Sequence, residues 1–229
     1  MSSAGGLHVN RVRILVEGQT EETFVNDILS PHLSQMGVYP YAFLFRKKGG
    51  SFAYQRARKE ILNSLNEDTA LVCTTMVDFY GMPQDWPGRT ESKSCGNYQD
   101  KAQRVEQALS EDIAAQMGGS WNREQFIPYV QIHEFEALLF SDTSILAESA
   151  GESRVSAQLE HVLQSFSSPE EINDNYQTCP SRRIKQHIPN YVKTLDGIIA
   201  ARKIGLQKMR QKCPRFNAWV TKLENLGNQ

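Results

Sequence analysis

The chain has 229 residues, 40 % of them hydrophobic, which suits one large domain or a core with a modest appendage and needs no covalent staples. Its 25 basic and 26 acidic residues leave a net charge of −1, which excludes a globally basic nucleic-acid binder and restricts any polyanion surface to a local patch. Cys73, Cys95, Cys179 and Cys213 are scattered without a Cys-x-x-Cys pair, so a disulfide framework and a zinc knuckle are both excluded, and the lack of an apolar leader or membrane-length apolar run gives the expectation of a soluble, cytoplasmic protein.

Residues 10–17 predict a first strand whose Ile14, Leu15 and Val16 run straight into Glu17. In "TEETFVNDILSPHLSQMG", Phe24, Val25, Ile28, Leu29 and Leu33 recur at helical spacing until Gly37. "VYPYAFLFRKKGG" predicts a second strand ending in a basic turn, and "SFAYQRARKEILNSLN" a second helix with Ser51 as its N-cap. The most apolar strand, Ala70 to Val77, stops at Asp78, and Gly81 and Pro83 then open a loop to about residue 97. A helix over "NYQDKAQRVEQALSEDIAAQMGG" ends at Gly118 and Gly119, and "EQFIPYVQIHEFEALLF" predicts a fourth strand running into a short apolar helix. From about residue 142 the pattern is helical. Alternating strands and helices over residues 1–141 imply an α/β core, a mainly parallel sheet flanked by helices, with residues 142–229 as an all-helical C-terminal region packed on it.

In open α/β sheets the ligand crevice lies beyond the carboxyl ends of the strands, where Glu17, Asp78 and Glu134 all fall. Gathered at one rim, these carboxylates would repel one another unless a hard cation such as Mg²⁺ or Mn²⁺ offset their charge. Glu21, one helical turn after Glu17, would help hold a second ion, and Glu136 offers a further ligand. Bland readings stand beside these. Glu17 and Glu21 suit an acid-rich helix start, Asp78 suits a turn, and His133 suits a packed core histidine.

"VEGQTEE" after a strand and "MVDFYG" at the end of a later one resemble the Toprim fold of topoisomerases, primases and related nucleases. Over residues 11–223 the chain is similar to an uncharacterised Toprim-like family, domain-of-unknown-function family 4276, often found beside ABC-type ATPases in bacterial defence loci. The shared blocks include "VEGQTEE", "VDFYGMP", "HEFEALLF", "PSRRI" and "CPRFNAWV". The resemblance makes Glu17 the metal-site glutamate of the first strand and Asp78 the first acid of an Asp-x-Asp pair. Position 80 is Tyr80, so the second acid is missing, and Glu134 or Glu136 of "HEFE" is expected to complete the metal shell.

Among the basic residues, Arg46 and Lys47 close the second strand at the acidic rim, where phosphate is a natural guest and a solvated turn the alternative. Arg182 and Arg183 of "CPSRRIKQHIPNYVK" are assigned to phosphate binding, and Lys193 to stabilising charge at the scissile group, with a surface lysine as its alternative. "KCPRFNAWV" places Phe216, Trp219 and Val220 at helical spacing, a core pattern rather than a base-stacking platform. No phosphate-binding GxxxxGK[ST] loop or nucleophile elbow occurs. The expectation is a Mg²⁺- or Mn²⁺-dependent endonuclease acting on DNA or RNA, with a possible ABC-type ATPase partner in anti-phage defence. The alternatives are a non-catalytic subunit docking on an ATPase, or a metal-dependent phosphatase or phosphotransferase.

Overall fold

The structure is a computed structural model, which describes residues 10–44, 53–172, 175 and 177–228. Strand β1 (Asn10–Val16) alternates its aliphatics: Val12, Ile14 and Val16 enter one core cluster while Leu15 enters another on the opposite face. This two-faced burial is what a helix-covered parallel strand requires. Helix α1 (Gln19–Phe24) continues through a π-helical turn (Val25–Leu29) into α2 (Ser30–Ser34), and the chain returns as β2 (Val38–Leu44). Helix α3 (Tyr54–Glu67) leads to β3 (Val72–Asp78), and α4 (Tyr98–Met117) to β4 (Phe126–Ile127) and β5 (Val130–Gln131). The expected cap Ser51 lies outside the described residues.

All strand pairs are parallel, in the order β2-β1-β3-β4, with β5 also on β3. The single fourth strand expected from the sequence is split in two by Pro128, which has no N–H to give to a ladder. Threonines of β3 bridge the break. Thr74 Oγ1 donates to the Ile127 carbonyl, while Thr75 Oγ1 donates to the Tyr129 carbonyl and accepts from the Tyr129 N–H, both at 2.9 Å. The opposite outer strand, β2, carries Pro40.

Beyond the sheet the chain is helical: α5 (Glu136–Leu139), α6 (Thr143–Ser149), α7 (Ser156–Leu163), α8 (Pro180–His187), α9 (Ile198–Lys212) and α10 (Pro214–Glu224). Phe216, Trp219 and Val220 of α10 are buried with Phe24 of α1 and Tyr129 in one cluster. Trp219 stacks on Tyr129 with ring centroids 4.5 Å apart, and its indole N–H donates to Thr74 Oγ1 at 2.9 Å. The buried Glu170 carboxylate accepts the Arg215 and Phe216 N–H groups, both at 2.9 Å, and so anchors the start of α10. Helices α3 and α4 cover the other face, with Ala57, Ile61, Val105 and Leu109 against Leu15, Cys73 and Val77. Among the described residues no helix is long and apolar enough to cross a membrane.

Candidate functional site

The parallel register aligns Val16 with Met76, so the residues that follow them, Glu17 and the β3 terminus, emerge together at one end of the sheet. Glu17 Oε1 accepts the backbone N–H of Asp78 at 2.9 Å, which ties the two strand ends to each other. Gly18 follows, and a Cβ there would lie 2.9 Å from Glu21 Oε2. The Glu21 carboxylate thus folds back over the start of α1, against the bare backbone of Gly18.

Glu136 arrives from the other side. Asp78 pairs with Gln131, and the ladder is extended by Phe79 N–H to the Gln131 carbonyl at 2.9 Å and Tyr80 N–H to the His133 carbonyl at 2.8 Å. The chain then turns into α5, whose first residue is Glu136, 2 % exposed. Tyr80, standing where the resemblance expects a second acid, thus uses its backbone to hold the segment that delivers Glu136.

Lys193 completes the cluster. It opens the π-helical turn Lys193–Gly197 ahead of α9 and reaches across the helical layer to the sheet. Its Nζ lies 2.9 Å from Glu21 Oε1, 3.2 Å from Glu136 Oε2 and 3.7 Å from Asp78 Oδ2. Glu17, Gly18, Gln19, Thr20, Glu21, Asp78, Lys193 and Thr194 line a cavity of about 260 Å³. Burial pushes the Asp78 carboxyl well above its ordinary range; Lys193 opposes this, and Glu21, Glu17 and Glu136 reinforce it. Glu136 is raised by burial in the same way, with Lys193 again opposing. For Lys193 burial favours the neutral amine, but Asp78, Glu136 and Glu21 more than reverse this and hold it well above the usual lysine range.

The structure therefore brings together Glu17, Glu21, Asp78, Glu136 and Lys193, and leaves the other candidates elsewhere. Glu134 does not join the acids. Its two oxygens accept the Ser181 N–H at 2.8 Å and the Ser181 hydroxyl at 3.1 Å, so it caps the start of α8. Arg183 turns inward, its Nε donating to the Thr178 carbonyl at 2.8 Å with the guanidinium over the Phe166 ring. Arg182 lines a separate groove with Gln177, Lys185 and Gln186. Arg46 and Lys47 lie outside the described residues. Among those described, no three His, Cys, Asp or Glu side chains converge as a metal-ligand group. The cation within the acid cluster is the lysine ammonium.

Tyr191 escaped the sequence reading. It is 3 % exposed, its hydroxyl has no hydrogen-bond partner among the described residues, and it sits where a Cβ on Gly197 would fall, 2.6 Å away. Burial first, and then Glu136, raise its phenol well above the ordinary value. Only the two-residue spacing from Lys193 in "NYVK" hints at it.

A family model described as Domain of unknown function (DUF4276) matches residues 16–224. The chain belongs to this family. The match begins at the last residue of β1 and ends at the last residue of α10, so the DUF4276 unit contains every member of the acid cluster and both covering layers of the sheet. No curated protein and no solved structure gives a significant match to the chain.

Proposed function

We propose that this DUF4276 protein is a Toprim-like, metal-dependent phosphodiester hydrolase whose substrate is a nucleic acid. The observation that carries the reading is the meeting of Glu21, Asp78 and Glu136 around one cation at the carboxyl end of a parallel sheet, with Glu17 bound to the Asp78 backbone. The donor set is all oxygen and suits Mg²⁺ or Mn²⁺. The buried Glu136 Oε2 lies 3.2 Å from the Lys193 ammonium, on the side that faces Glu21 and Asp78. When bound, the ion supplies Lewis acidity and an activated water. Asp78, Glu21 and Glu136 would hold it, and Glu17 would fix the Asp78 end of β3. The Lys193 ammonium balances anionic charge on a phosphoryl group at the mouth of the cavity. Arg182 and Lys185, side by side in their groove, offer backbone phosphates a second point of contact.

The test is cleavage of plasmid DNA and of transfer RNA by purified protein with Mn²⁺, in wild type, Glu17→Ala and Asp78→Ala. Loss of at least a hundredfold in both variants is expected. Cleavage that survives both substitutions refutes the mechanism.

The second reading is a metal-free docking subunit for an ABC-type ATPase of a bacterial defence locus. It is favoured by one observation: the Lys193 ammonium pairs with the Glu21 and Glu136 carboxylates at 2.9 and 3.2 Å. Calorimetry separates the two, since a folded protein that gives no heat with Mg²⁺ or Mn²⁺ supports the docking subunit.

A further inference from the structure

Resting on the hydrolase reading above, we propose that Val192 and Leu195 form an apolar shelf beside the acid-lined cavity that holds the face of a nucleobase, so that the preferred substrate is single-stranded nucleic acid.

Val192 is 47 % and Leu195 57 % exposed, and Leu195 is the most exposed large hydrophobic side chain among the described residues. Neither belongs to the two core clusters or packs against them. Their backbone is nevertheless firmly held. The Val192 carbonyl accepts the Leu195 and Asp196 N–H groups at 3.1 and 2.8 Å, and Asp196 Oδ2 accepts the Val192 N–H at 2.7 Å. This closed turn sets the two side chains three residues apart, on one side of a helical turn. Gly197 ends the turn against the buried Tyr191 and Leu139 of α5, which fixes it to the helical layer.

The residues between the two members of the shelf decide what it serves. Lys193 and Thr194 line the cavity, so the shelf is continuous with it. Every other side chain of that lining is a carboxylate, an amide or a hydroxyl. The cavity therefore offers partners to a phosphoryl group and none to an apolar ring. A nucleotide whose phosphate meets the Lys193 ammonium must leave its base outside, and the apolar side chains that flank this lysine are Val192 and Leu195. Size favours a base over a protein: a stable protein interface buries about 800 Å² on each partner, far more than two aliphatic side chains supply. Aliphatic side chains serve in this way elsewhere, as wedges against unstacked bases. In a duplex both faces of a base are taken by its stacked neighbours, so an unpaired strand is the form that offers one.

The test is Mn²⁺-dependent cleavage by the full-length chain of DNA and RNA oligonucleotides, each single-stranded and in a duplex, together with a DNA strand carrying abasic sites. Wild type is compared with the double variant Val192→Ser, Leu195→Ser, whose substitutions lie outside both core clusters and the acid cluster. Wild type should cleave the single strand at least tenfold more efficiently, in kcat/KM, than the duplex or the abasic strand. The double variant should lose this preference through a raised KM with kcat held, and should cleave the abasic strand as wild type does. A duplex cleaved as efficiently as the single strand, or an unchanged KM in the variant, overturns the shelf and leaves the hydrolase reading intact. Sedimentation velocity checks the rival occupant: a wild-type dimer that the double variant dissolves assigns this face to a second copy and overturns the shelf. Wild type that cleaves none of these strands overturns the hydrolase reading and this inference together.

Discussion

Glu170 allows a prediction whose size follows from the structure. Its carboxylate is fully buried and accepts two backbone N–H groups at the start of α10, while burial raises its pKa from the ordinary 4.5 to about 6. A carboxyl raised in the folded state favours the protonated form there, so its contribution to stability is fullest below pH 4.5 and declines as pH rises through about 6. The gap corresponds to about 2 kcal/mol. Glu170→Gln cannot ionise, so it avoids that decline. At pH 4 the wild-type carboxyl is protonated and its O–H faces one of the two N–H donors, as the amide NH₂ of the variant does, so the two proteins carry a comparable mismatch there. The variant should therefore be near parity with wild type at pH 4 and gain on it by about 2 kcal/mol by pH 7.5. Urea unfolding of both proteins across this range measures it, and the difference between them cancels the titration of Asp78 and Glu136, which both chains share. A stability difference that stays constant from pH 4 to 7.5 refutes the reasoning.

The remaining predictions concern packing around the site and an ion-pair network remote from it. Gly197→Ala drives a Cβ to within 2.6 Å of the Tyr191 hydroxyl and should cost about 1–3 kcal/mol, much of which Gly197→Ala with Tyr191→Phe should recover; a double-mutant cycle by thermal unfolding shows whether the two couple. Glu224 joins α10 to Arg210 of α9 and to His32 Nε2 of α2, the latter at 2.7 Å. Burial alone would raise its carboxyl, but Arg210 and His32 hold it below the ordinary range. Its contribution is thus present above about pH 4.5 and lost as pH falls through the lowered value, and Glu224→Gln should cost about 1.5–3 kcal/mol at pH 7 and little in strong acid, read by denaturant melts at the two pH values.

The strand ends are legible in the sequence because an apolar run that must be covered on both faces stops abruptly at a carboxylate in "ILVEG" and "TMVDF". Trp219 is legible as core from helical spacing with Phe216 and Val220. The choice between Glu134 and Glu136 is not. Two residues apart at a strand-to-helix transition, they are sorted by Ser181, distant in the chain, which captures Glu134. Arg182 and Arg183 are neighbours in sequence but about 100° apart on a helix, so one lines a groove while the other turns inward to Thr178. The close approach of Tyr191 to Gly197 depends on how the helical layer closes on itself, and no local pattern encodes it.

The prolines of the sheet have a consequence for how the protein behaves in a crowded solution. Outer strands offer unpaired backbone groups on which a stray polypeptide can be templated, and a proline there removes a donor and interrupts the template. Pro40 interrupts one border of this sheet and Pro128 the other, while the threonine hydroxyls of β3 repair the inner side of the second break. Self-association by strand addition is thereby discouraged on both flanks.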